Sequence, residues 1–214
     1  MFRAIAVTQW KWTRSVALLA TVAAFSLPIA ALQSAREAST PLEFIAKMQT
    51  WGLGYALLAA GVGLAVALAA WGHDHQGRHV YALSLPITRS HYALLRFSAG
   101  AIFLVPVAIG LLLGSLTVMA SGAIPQGLHA FPISLTLRFV FAAFVAYAIF
   151  FAIGSGTTKT AAVVLGVIAA ILLVQFFLSA LNVDFDLLSR VGDFVFSRPG
   201  ILSVFSGRWM LIDV

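Results

Sequence analysis

The sequence predicts an all-α integral membrane protein, and three observations carry that reading. Of its 214 residues 61% are hydrophobic and only 9% are charged, whereas a soluble domain uses about 25% charged residues. Mean hydropathy is +1.00. The Lys and Arg residues lie at the ends of long apolar runs, where they act as topology signals and interfacial anchors. The net charge of +6 is therefore scattered rather than patched, which argues against nucleic acid and for membrane lipid as the partner. Cysteine is absent, which removes disulfides, thiolate metal sites and a cysteine nucleophile.

A helix crossing about 30 Å of hydrocarbon needs about 20 apolar residues, and five such runs are readable in one transmembrane domain spanning 1–214. Residues 1–14 mix Phe2, Ile5, Trp10 and Trp12 with Arg3 and Lys11, which suits an amphipathic helix lying in the membrane interface. Gln9 and Thr13 interrupt its apolar face. The first span is expected at 15–32, interrupted by Pro28. Thr40-Pro41-Leu42-Glu43 has capping-box spacing with Pro at the first helical position, so an external helix should start at Pro41. It leads into the second span, 51–71, which has a Trp at each end. The third span is expected at 97–119, followed by an uncharged external loop with Gly122, Pro125, Gly127 and Pro132 as helix breakers. The fourth, 139–156, and the fifth, 160–181, are separated by a tight turn carrying Lys159.

Residues 182–214 read as an external helical hairpin. Asp184, Asp186, Arg190, Asp193 and Arg198 forbid a buried span, and Arg198-Pro199-Gly200 splits two short half-inserted helices, Asp184–Ser197 and Ile201–Phe205. With the amino terminus in the cytoplasm, Arg3, Lys11, Arg14, Arg78, Arg89, Arg96 and Lys159 lie inside. Only Arg36, Lys47 and Arg138 lie outside ahead of the tail, the bias expected of a multi-pass protein of the cell (inner) membrane.

The connection 72–92 holds the most specific chemistry. Gly77 permits a sharp turn out of the second span. Pro86 denies Leu85 the helical region and so ends a short helix. Arg78, Arg89 and Arg96 hold the loop in the aqueous and headgroup layer, and Val80, Tyr81 and Leu83 form an apolar knob. The bland reading is an ordinary positively charged cytoplasmic loop. However, Asp74, Gly77, Leu83, Ser84, Leu85, Pro86 and Arg89 fall in the order and spacing of the loop that type-2 ABC transporter permeases present to their ATPase. Arg96 stands where that family usually has Lys. The chain thus resembles an ABC-2 membrane subunit, in detail over Asp74–Arg96 and elsewhere in span layout.

The resemblance implies a permease, an exporter by preference, whose coupling loop (Asp74, Gly77, Arg78, Tyr81, Leu83, Ser84, Leu85, Pro86 and Arg89) docks on a separate ABC ATPase subunit. It also implies a second permease subunit, identical or not, and a substrate path lined by the second and fifth spans. Tyr55, Gln175 and Phe176 are the candidates there, although an interhelical hydrogen bond is the simpler role for Gln175. The family has six spans. The sixth is expected beyond Val214 in a longer chain; a chain ending early, with its terminus outside, is the alternative.

Other motifs point to no enzyme. Gly154–Thr160 lacks the Gly before Lys159 and the preceding strand that a phosphate-binding loop needs, so ATP and Mg would belong to the partner ATPase and the chain itself carries no cofactor. His75 and His79 have metal-ligand spacing, but no well-placed further ligand accompanies them, and no metal is expected. Gly110 and Gly114 have the spacing that lets membrane helices approach closely. A membrane channel or assembly scaffold unrelated to ABC transporters is the alternative function.

Overall fold

The computed structural model describes residues 2–76, 88–155, ten scattered positions between 163 and 177, 187–197, 200, 202–206 and 208–213. The helices among them are α1 (Phe2–Ala35), α2 (Pro41–Thr50), α3 (Gly52–Gln76), α4 (Arg89–Ile102), α5 (Leu104–Ala120), α6 (Pro132–Ser155) and α7 (Leu187–Phe196). Two short strands, β1 (His129–Ala130) and β2 (Ile212–Asp213), pair antiparallel. Four stretches of the described residues are long and apolar enough to cross a membrane: Thr13–Ala35, Pro41–Trp71, Ser90–Ala120 and Pro132–Ser155. Less than half of each apolar window is buried inside the protein. The fifth expected span, 160–181, lies largely outside the described residues.

Several boundaries differ from those the sequence predicts. α1 is one unbroken helix of 34 residues, so the expected interfacial helix and first span are a single element of about 51 Å. Gln9 and Thr13, which interrupt its apolar face, are buried on it. The third crossing is two helices meeting at Phe103. Pro106 has no N–H to give to the carbonyl four residues back, and Phe103 N–H instead bonds the Gly100 carbonyl at 3.0 Å. Pro28, which has the same defect, leaves α1 continuous.

The start of α2 follows its sequence signature. Thr40 caps it, its hydroxyl accepting from Glu43 N–H at 3.2 Å. The Glu43 carboxylate reaches back to the Ser39 N–H at 2.9 Å, one residue earlier than in the standard capping box. Trp51 separates α2 from α3 and donates its indole N–H to the Ser34 hydroxyl at 2.7 Å, tying the end of α1 to the start of the second crossing.

The chain divides into two units, 1–151 with 208–214 and 152–207. In the first unit α1 runs parallel to α4 and α5: Trp10 meets Phe103 at 5.6 Å between ring centres, and further along Thr21 meets Gly110 and Phe25 meets Gly114. Gly110 and Gly114 lie against the backbone of Thr21 and Phe25. α3 runs parallel to α6, with Gly63 against Ala143, Ala146 and Tyr147. Small residues let these backbones meet where lipid offers no hydrophobic drive for helices to associate.

The tail corrects the expected helical hairpin over 182–214. Residues 208–213 are not helical; they return to the first unit and seal one end of the bundle. His129 pairs with Asp213 and Ala130 with Ile212, and Phe131 N–H bonds the Leu211 carbonyl at 2.7 Å. Trp209, Leu211 and Ile212 are buried. Arg138 lies 4.6 Å above the Trp209 ring and donates to the Arg208 carbonyl at 2.5 Å. The uncharged loop between the third and fourth crossings therefore contributes one strand of a pair.

In the second unit α7 is followed by a 3₁₀ turn over Ser203–Phe205, where a second short helix was expected over Ile201–Phe205. Gly200 makes the corner: a β-carbon there would strike the carbonyls of Val195 and Phe194. Leu202 N–H closes back on the Val195 carbonyl at 3.1 Å. Phe194 and Phe196 are exposed.

Candidate functional site: the foot of the connection between the second and third crossings

The last turn of α3 and the first turn of α4 lie at the end of the bundle where α1 begins. The 77–88 connection runs from α3, which ends at Gln76, to α4, which starts at Arg89. Asp74 is thus in the last turns of α3 and Arg89 opens α4, both helical rather than in a loop. Gly77, Arg78, Tyr81, Leu83, Ser84, Leu85 and Pro86 lie outside the described residues. Thr88 precedes α4 in an extended conformation and makes no side-chain cap.

Immediately inside the connection, aromatic rings and one cation link three helices. Arg96 was expected at the headgroup layer, but its side chain is only 6% exposed. Its guanidinium carbon lies 5.3 Å from the centre of the Trp71 ring and 5.5 Å from that of Tyr92. It also donates to the Tyr92 hydroxyl. A guanidinium is planar and more weakly hydrated than an ammonium, so it tolerates this burial between ring faces. Trp71 in turn donates its indole N–H to the Phe151 carbonyl at 3.2 Å and packs its ring 5.1 Å from that of Phe151. Phe97 completes the group, stacked at 5.0 Å on Tyr147 and edge-on to Phe151 at 5.2 Å. Arg96, Trp71 and Phe151 therefore clasp α4, α3 and α6 where the connection begins.

One helical turn further in, the packing turns polar. Gln9 and Thr13 are 3% and 0% exposed, and neither the Gln9 amide nor the Thr13 hydroxyl has a protein hydrogen-bond partner. Tyr147 Oη donates to the Phe97 carbonyl at 2.9 Å. Gly100 is the floor between them: a β-carbon there would meet Tyr147 Oη and lie 2.9 Å from Gln9 Nε2.

Of the three expected substrate-path residues, two are among the described residues. Tyr55 is buried within the first unit, its hydroxyl without a protein partner. Gln175 is half-buried and belongs to the second unit, and Phe176 lies outside the described residues. The sequence reading missed the clasp around Arg96 and the role of Trp209. The available signal was the coincidence of Arg96 with Trp71 across a connection, which only tertiary packing turns into a contact. Among the described residues no group of three His, Cys, Asp or Glu is placed to hold a metal. No family model, no curated protein and no solved structure matches this chain.

Proposed function

We propose that this chain is the membrane-spanning subunit of an ATP-driven ABC exporter, coupled to a separate ATPase through the segment between α3 and α4. The observation that carries the reading is the sequence series Asp74, Gly77, Leu83, Ser84, Leu85, Pro86, Arg89, which runs from the end of one apolar crossing to the start of the next. The clasp supports it mechanically. A force on the connection reaches α3 and α4 together, since Arg96 bridges them, and reaches α6 through Trp71 and Phe151. In this reading Tyr81 and Leu83 form the apolar contact with the ATPase, which supplies ATP and Mg. Closure of two ATPases would then tilt the clasped helices as one body.

The remaining roles follow from the same assignment. The chain sits in the cell (inner) membrane with its amino terminus in the cytoplasm, by the balance of Lys and Arg. It pairs with a second permease subunit, and the exposed apolar faces of its helices leave room for that partner as well as for lipid. The fifth span completes the crossings read from the sequence, and Tyr55, Gln175 and Phe176 border the path. The test is purification from native membranes in mild detergent, followed by mass spectrometry. A stoichiometric protein with a phosphate-binding loop supports the assignment; a chain that runs alone, in a preparation that preserves other transporter complexes, contradicts it.

A further inference from the structure

Gln9 and Thr13 are four residues apart on α1 and so lie one above the other on the same helix face. Both are buried, and the amide nitrogen, amide oxygen and hydroxyl make no hydrogen bond within the protein. Thr13 opens an apolar crossing. In hydrocarbon each unsatisfied polar group costs several kcal/mol, and three such atoms on one turn exceed what packing can absorb. Tyr147 Oη is a polar neighbour of Gln9, since both lie against Gly100. Its proton is committed to the Phe97 carbonyl at 2.9 Å, which leaves its lone pairs to accept. Gln9 Nε2 and Tyr147 Oη both lie against Gly100, yet they do not bond each other. A buried water with two to four polar partners meets this need. It has donors and acceptors for the amide, the threonine hydroxyl and the tyrosine oxygen at once.

We infer that α1, α4 and α6 enclose an ordered-water site, with Gln9 and Thr13 as its ligands on α1 and Tyr147 as its ligand on α6. The site is independent of any ATPase partner.

The test is X-ray radiolytic hydroxyl labelling of the whole chain in lipid nanodiscs, read by mass spectrometry. Radicals generated from a bound water modify the side chain beside it, even where bulk solvent cannot reach. Tyr147 and Phe139 are aromatic residues on the same helix and equally inaccessible, at 0% and 1% exposed. Tyr147 should be labelled several-fold faster than Phe139, and the excess should vanish in the Gln9→Leu, Thr13→Val double variant. Equal labelling of the two residues in the unaltered protein overturns the site, and that comparison stands even if the double variant does not fold. An excess at Tyr147 that survives the double substitution overturns the assignment of Gln9 and Thr13 as the ligands.

Discussion

The backbones of Gly110 and Thr21 meet so closely that a β-carbon on residue 110 would lie 2.7 Å from the Thr21 carbonyl oxygen. This contact, repeated one turn later by Gly114 and Phe25, sets the distance between the first and third crossings. Gly61, by contrast, has nothing within 4 Å of the place a β-carbon would occupy. Gly110→Ala and Gly114→Ala should each destabilise the protein by about 1–3 kcal/mol through overpacking. Gly61→Ala should be neutral or stabilising by up to about 1 kcal/mol, since Ala is the better helix former. Thermal unfolding in one detergent orders the three variants.

The clasp predicts coupling between Arg96 and Trp71. Removing either partner leaves the other buried in an environment shaped for both, so Arg96→Leu and Trp71→Leu should not be additive. A desolvated cation–π contact is worth about 2 kcal/mol, and a double-mutant cycle on unfolding should return a coupling of about that size. An interaction energy near zero would show that the 5.3 Å approach contributes nothing to stability.

The strand pair at the other end predicts a specific cross-link. His129 and Asp213 are register partners, and Cα atoms so placed stand about 4.5–5.5 Å apart, within the span of a disulfide. The chain has no native cysteine. His129→Cys with Asp213→Cys should therefore oxidise readily and join distant proteolytic fragments. His129→Cys with Ile212→Cys should oxidise poorly, because neighbouring strand residues point to opposite faces. Equal yields would mean that the tail is not held in this register.

The proposed sidedness rests on the balance of Lys and Arg, with the amino terminus in the cytoplasm. Thr40 and Gln126 fall at the end of the bundle opposite the 77–88 connection. Single cysteines at 40 and 126 should react with an impermeant thiol reagent on intact cells, while those at 77 and 159 should not. Reaction at 77 with protection at 40 reverses the orientation.

How much was legible in the sequence varies with the range of the interaction. The crossings and the cap at Thr40 depend on local composition and on contacts within four residues, and both are readable directly. The Gly110–Gly114 spacing announced a close helix contact but not its partner, because Thr21 and Phe25 carry no complementary mark. Gln9 and Thr13 were visible as defects in an apolar face. Their meaning depends on Tyr147, more than 130 positions away, which no local pattern connects to them. The pairing of His129 with Asp213 was illegible for the same reason: two residues per strand give no periodicity to read. The break at Phe103 could have been anticipated from Pro106, whereas Pro28 produces no break in α1, so the residue type alone does not decide the outcome.

The central claim is that the segment between α3 and α4 delivers force from an ATPase, and it is tested most directly at Tyr81 and Leu83. Converting both to Asp places unpaired charge in an apolar contact, at a cost of several kcal/mol while the charges stay buried. The measurement is co-purification of the ATPase with the Tyr81→Asp, Leu83→Asp double variant, with membrane insertion checked by the thiol reaction at position 40. The account predicts normal insertion and loss of the ATPase. An inserted double variant that retains the ATPase at the level of the unaltered chain would contradict it.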